Sequence, residues 1–228
     1  SDDGVADFMD RLRTLQLYYM GSSSRGALPP KWNGSIFAVE GQEADAESWG
    51  AQFWVWTTEV SYFPLYAADS VELTDPFFNM YVNQLPNAVT AGEQRTGARG
   101  AYILESGPFD GPIVLPDDVA AEYQDVWLGR KPNTELSTRA ASHGTFDGGL
   151  AAMDTSYPRA EGRYSWVSHI ASSGSKIAKH AWWRYRCSGD REWLRKCAYP
   201  LLRGVAEFYC TLCRRGEDGY WHLHGTNA

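Results

Sequence analysis

The sequence predicts an all-α protein whose helices are joined as antiparallel pairs and separated by long loops. Two observations carry this. Apolar residues recur at three-to-four spacing near both ends: Val5, Phe8, Met9, Leu12, Leu15 and Tyr19, then Trp193, Leu194, Cys197, Ala198, Leu201, Leu202, Val205, Phe208, Tyr209 and Leu212. Ahead of the second run, Ser188-Gly189-Asp190 has the chemistry of a turn followed by a helix cap, so it folds one helix back on the next.

Taken in order, the first helix covers Val5 to Tyr19 and stops at Gly21 and the serine run Ser22–Ser24. A loop with two prolines and an Asn33-Gly34 turn signal follows. Trp49 to Tyr66 interleaves aromatics with Gln52, Thr57, Thr58, Glu59 and Ser61, and is expected to be a helix from about Ala46 to Ala67. Sugars need that mixture, because aromatic faces stack on C–H faces while amides, hydroxyls and carboxylates bond ring hydroxyls. A buried helix between two helical layers accounts for the same composition equally well.

Pro76 suits the start of one helix and Pro86 the start of another, the latter running to about Thr96. A glycine- and proline-rich loop from Gly97 to Pro112 then carries Glu105 and Asp110. From Leu128 to Tyr164 the pattern is weak, which in a compact domain marks a functional or mobile segment. A helix from about Trp166 to Cys187 leads into the hairpin, Pro200 kinks or restarts the second helix, and Gly216–His224 reads as a turn into a short strand.

At 228 residues, with 43% hydrophobic and 14% aromatic content, the chain holds enough apolar material for one large core or two small ones. A formal charge of −7 and no basic stripe exclude a nucleic-acid groove, and no apolar run reaches the roughly 18 residues of a membrane span. Cys210 and Cys213 share a helix face as small side chains, and no metal or cofactor is expected. Cys187 and Cys197 flank the hairpin turn and could pair in an oxidising compartment. The chain begins without a signal-peptide pattern, and its last residues, Trp221 to Ala228, show no helix cap or charged tail. A polypeptide continuing past Ala228 is the expectation.

Three ordered blocks resemble glycoside hydrolase family 95, the large α-fucosidase-type enzymes with an (α/α)6 barrel. They are Leu17–Gly34, with its serine-arginine-glycine turn; the aromatic stretch ending Tyr62-Phe63-Pro64; and His180–Asp190 followed by Ala198–Phe208. The resemblance implies the N-terminal part of an (α/α)6 toroid, residues 1–228 forming a partial catalytic-type domain. It also implies hydrolysis with inversion, in which a carboxylic acid protonates the leaving oxygen while a carboxylate about 6.5–9.5 Å away activates water. By the same resemblance the general acid and base fall beyond Ala228, this stretch supplies pocket wall, and the protein is secreted or periplasmic. The partners so implied are an oligosaccharide or glycoside and the remainder of the same polypeptide. The family's two water-holding asparagines are replaced here by Val55 and Thr57.

The candidate substrate-binding residues are Trp32, Trp54, Trp56, Thr57, Glu59, Glu105, Asp110, His169 and His180. The tryptophans could stack on sugar rings or fill a core. Glu59 could equally serve an arginine ion pair, Glu105 a loop turn, and His180 a satisfied core position. Two other functions remain open at this point. One is a helical module that binds carbohydrate or protein without turnover. The other is a toroid lyase using a tyrosine and a histidine, from among Tyr102, Tyr164 and His169.

Overall fold

The computed structural model describes residues 4–30, 53–143 and 170–223. In chain order these form α1 (Val5–Ser23), β1 (Phe53–Trp54), α2 (Val55–Glu59), a 3-10 turn (Val60–Tyr62) and α3 (Phe63–Ala67). A second 3-10 turn (Val71–Thr74) leads into α4 (Asp75–Thr96), β2 (Ser106–Gly107), α5 (Asp117–Trp127) and α6 (Thr138–His143). The last part comprises α7 (Ser173–Ser188), α8 (Arg191–Trp193), a π-helical stretch (Leu194–Ala198), α9 (Tyr199–Leu212), β3 (Arg214–Arg215) and β4 (Trp221–His222). The described chain is therefore all-α, its strands being two-residue pairings. Among the described residues no helix is long and apolar enough to cross a membrane.

The predicted hairpin is present. Gly189 closes α7 in the left-handed conformation, and the Asp190 carboxylate accepts from the Glu192 and Trp193 amides at 2.9 Å. Pro200 has no amide to give the preceding turn, and the helix accommodates this with the π-helical stretch just before it, so that α9 restarts with proline in its first turn. The Tyr209 hydroxyl, which donates to the Ala171 carbonyl and accepts from the Ser175 amide, fastens α9 to the start of α7.

Several elements differ from expectation. The aromatic stretch is not one helix: Phe53 and Trp54 pair in register with Gly107 and Ser106, and the chain then coils through α2, a 3-10 turn and α3. Residues 46–52 lie outside the described ones. Pro86 does not open a helix but sits inside a continuous α4, on its exposed side. A proline there costs about 3 kcal/mol in isolation, which the buried face of Phe77, Phe78, Met80, Tyr81, Ala88, Ala91 and Arg95 overrides. Helix α5 is an additional element, in which Val119, Ala120, Tyr123, Val126 and Trp127 recur at helical spacing behind Pro116. Helix α7 starts at Ser173. All four cysteines are free, and Cys187 is exposed while Cys197 is buried.

One core joins the end of α1, α2, α3, α4, α7 and α9 through Met20, Tyr62, Leu65, Phe77, Phe78, Ile177, Leu201 and Val205. The segment 98–104 is a loop as expected, but it forms a buried strap driven between α4 and α9. Its Ala101 amide donates to the Gly204 carbonyl (2.8 Å) and its Tyr102 amide to the Ala88 carbonyl (2.9 Å). Gly100 makes this approach feasible: φ is +92°, and a Cβ there would meet Phe208 N at 2.3 Å and Gly204 O at 2.5 Å. By contrast the outer stripe of α1 is open, with Val5, Phe8, Met9, Leu12 and Leu15 between 45% and 61% exposed.

Candidate functional site

The site is built where the broken aromatic helix meets α7. Five-residue α2 has no side-chain cap of its own, since Trp54 at its N-cap supplies none. Glu105 does that work from the strap. Its carbonyl accepts from the Val55 amide at 2.8 Å and its Oε1 from the Trp56 amide at 2.7 Å. The other oxygen, Oε2, accepts from the Ser173 hydroxyl (2.6 Å) in the first turn of α7 and lies 3.6 Å from the Lys176 ammonium. This carboxylate is buried, and all its donors are the protein's own, which is the condition for keeping a charge out of water. Glu105 thus joins the starts of α2 and α7.

One turn further on, Glu59 ends α2 and faces His180 in the middle of α7. Both are buried, and Glu59 Oε2 lies 3.2 Å from His180 Nε2. The two atoms are in ion-pair range, but their angle is not that of a hydrogen bond. On the far side of the ring, Nδ1 shares a 2.8 Å hydrogen bond with the Tyr66 hydroxyl. Burial holds the Tyr66 phenol far above its ordinary pKa, against a smaller lowering by Arg184, so it stays protonated. Phe63 stacks on the imidazole at 4.8 Å and 14°, and Trp183 and Phe77 close the box at 5.5 and 5.9 Å.

This box reaches the surface along one edge. Phe63 and Trp183 are each over a third exposed, and the Lys179 ammonium sits over both rings at 5.3 and 4.9 Å. Beneath, Arg184 fixes the register of α7. It bonds the Thr74 hydroxyl (2.8 Å), pairs with Asp75 and stacks on Trp193 at 4.3 Å. The end of α1 is tied in by Ser24, whose hydroxyl bonds the Tyr62 hydroxyl and the Leu73 carbonyl, each at 2.8 Å.

The structure therefore brings together six of the nine residues singled out in the sequence. Trp54 is half-buried in β1, and Trp56 is 58% exposed with the Lys176 ammonium 6.0 Å from its ring centre. Thr57 is half-buried, and its hydroxyl, like that of Thr58, is buried without a hydrogen-bond partner among the described residues. Glu59 and His180 form the pair above; the partner of Glu59 is a histidine and not the arginine weighed as an alternative. Glu105 is a tie between helices. Asp110 is exposed on a turn, where its carbonyl accepts from Asn87, and does not join the cluster. Trp32 and His169 lie outside the described residues, as do Tyr164 and His224. Tyr102, weighed as a lyase acid, is a core residue stacked on Phe208 at 5.3 Å.

Sequence reasoning missed Ser173, Lys176, Lys179 and Trp183. The last three recur at helical spacing (i, i+3, i+7) on α7 and mark the same face, a periodic signal present in the sequence. Among the described residues no three His, Cys, Asp or Glu side chains gather as a metal set.

Residues 134–227 match the family described as the glycosyl hydrolase family 95 catalytic domain. The matched stretch contains the third of the three blocks noted above and neither of the first two. Kojibiose hydrolase of Flavobacterium johnsoniae is 31% identical over 52 residues, 23% of this chain and 8% of that protein. Alpha-L-fucosidase 2 of Arabidopsis thaliana is 38% identical over 47 residues, 21% of this chain and 6% of that protein. The aligned part thus spans less than a tenth of either relative. In sequence the chain is family-95-like, and its all-α structure agrees with a piece of an α/α toroid.

Proposed function

We propose that this chain, similar over residues 134–227 to the catalytic domain of glycosyl hydrolase family 95, forms helical wall of a glycoside hydrolase that cleaves with inversion. The family match carries the reading, and the aromatic box at the meeting of α2, α3 and α7 supports it. In this reading Trp56 is the stacking platform at the mouth, and Trp54 and the Thr57 hydroxyl, without a partner among the described residues, border the sugar. The Glu59–His180–Tyr66 line sets the polarity of the wall, with Glu105 holding α2 and α7 in register. The acid and base of the inverting pair lie elsewhere in the polypeptide, and further helical pairs cover the open stripe of α1 to close the ring. Its substrate is an oligosaccharide or glycoside, and no cofactor takes part in the chemistry.

The test is hydrolysis by the natural polypeptide that contains this chain, with kojibiose and an aryl α-L-fucoside as substrates. The anomer formed first is read by proton NMR. Release of sugar with inverted configuration supports the reading, and retained configuration overturns the mechanism. A second reading, carbohydrate binding without turnover, draws on Val55: by the sequence resemblance it stands where the family has an asparagine, and it is fully buried in the core. Saturable sugar binding with no hydrolysis would select it.

A further inference from the structure

A second candidate binding place lies away from the aromatic box, between α4 and α9. There a cleft of about 640 Å³ runs along the outer side of the two helices, within the size range of small-ligand sites. One wall is Leu85, Val89 and Glu93 of α4, and the other is Tyr199, Arg203 and Glu207 of α9. Each set is spaced i, i+4, i+8, so each is a single helix face. The helices run in the same sense. A Cβ on Gly204 would lie 3.6 Å from Leu85 Cδ2, and one on Gly92, seven residues along, would lie 3.5 Å from Phe208 Cδ2. The cleft is therefore graded, aromatic and aliphatic at the Leu85–Tyr199 end and charged at the Glu93–Glu207 end.

Its floor is backbone. Gly97, Gly100 and Gly204 line it without side chains, and the strap hydrogen bond from Ala101 to Gly204 keeps that floor in place. The polar groups are available rather than committed. Arg203 and Glu93, on opposite walls, are exposed and have no ion-pair partner among the described residues. Arg99 and Glu207 are only loosely paired, at 3.9 Å. Tyr199 leaves 58% of its surface open beside Pro200.

We infer that this cleft is a non-catalytic saccharide-binding site. A sugar ring stacks its C–H face on Tyr199 while the Arg203 guanidinium donates to, and the Glu93 carboxylate accepts from, its hydroxyls. Two arginines balance two glutamates around the cleft, so it suits a neutral polyol better than an anion or a cation. The choice of saccharide as ligand class rests on the hydrolase reading; the existence of the site rests on the cleft alone.

Nitrogen-15 NMR of the full chain titrated with kojibiose, and separately with L-fucose, tests it. The Gly97, Gly100 and Gly204 amides report on the cleft floor. At least one sugar is expected to shift them saturably, with roughly tenfold weakening in Tyr199→Ala and a comparable loss in Arg203→Ala. Both side chains are exposed, so the variants should keep the wild-type circular dichroism. Trp56→Ala, at the other site, should leave these shifts unchanged. Absence of shifts at the three glycines through the tens-of-millimolar range overturns the inference, as do shifts indifferent to Tyr199→Ala or abolished by Trp56→Ala. The hydrolase reading is scored separately. Hydrolysis of a small aryl glycoside should survive Tyr199→Ala in the active polypeptide, so activity without cleft binding, or cleft binding without activity, identifies which proposal failed.

Discussion

Replacing Glu105 with alanine is the perturbation whose cost the structure specifies best. The wild-type carboxylate accepts from the Trp56 amide at 2.7 Å and the Ser173 hydroxyl at 2.6 Å, with the Lys176 ammonium at 3.6 Å. Hydrogen bonds to a charged group contribute about 1.5–3 kcal/mol each, and alanine deletes two. The Trp56 amide then starts α2 without an acceptor, whereas Lys176, whose side chain is a quarter exposed, can turn to water. Its loss therefore adds at most about 1 kcal/mol. These terms sum to about 3–7 kcal/mol; breaking a buried charged pair from one side costs about 3–5 kcal/mol, which is the loss we expect for E105A. For a chain of this length that lowers the melting temperature by about 6–20 °C.

E105Q should fall between, since its amide oxygen still serves Trp56 while the charge is gone, and K176A should cost least. The assay is urea unfolding followed by tryptophan fluorescence and far-ultraviolet circular dichroism, with the order E105A, E105Q, K176A from largest loss to smallest. An E105A variant within about 1 kcal/mol of wild type would refute the claim that this carboxylate joins α2 to α7.

Other expectations follow from single contacts. Asp190→Ala removes the carboxylate that caps α8 and should cost about 0.5–2 kcal/mol in the same unfolding assay, with Asp190→Asn recovering most of it. Gly100→Ala should be far worse and yield little folded protein, because the new Cβ meets backbone of α9 at 2.3–2.5 Å and φ is +92°; soluble yield and thermal melting would show it. Glu122 accepts from Lys131 at 2.8 Å and from the Ser137 hydroxyl and amide, which hold its pKa down at about 2 from the usual 4.5. A depressed carboxylate stabilises the fold above its unfolded pKa and loses that contribution as pH falls from about 4.5 towards 2. The stability gap between wild type and Glu122→Gln should therefore close across that window in pH-dependent melts. Burial raises the Cys197 thiol to about 12, so iodoacetamide at pH 8 should label exposed Cys187 and Cys210 and leave Cys197 until the chain unfolds.

The sequence by itself determined the helical class, the closing hairpin and the nature of its turn. Asp190, Gly189 and Pro200 act through their own backbone neighbours, so their effects are written in local chemistry. The same holds for the start and the apolar stripe of α1, a matter of spacing, although the helix runs past Tyr19 and through Gly21 to Ser23. It also put Glu59, Trp54, Trp56 and Thr57 in one segment and named His180. What it could not give was which of these meet, because Glu59 and His180 are 121 residues apart in number and come together only when α2 packs on α7.

Tertiary structure alone decided three things. It kept α4 continuous through Pro86, since the packing of one buried face outweighs a local proline penalty. It turned a glycine-rich stretch that reads as a loop into a buried strap, because glycine signals close approach as readily as it signals a turn. And it made Glu105 a tie between two helix starts, where the sequence left a sugar contact and a turn-stabilising carboxylate equally open. A carboxylate in a loop has the same chemistry in either role, and only the positions of the Trp56 amide, the Ser173 hydroxyl and the Lys176 ammonium, all brought in by folding, determine which donors it serves.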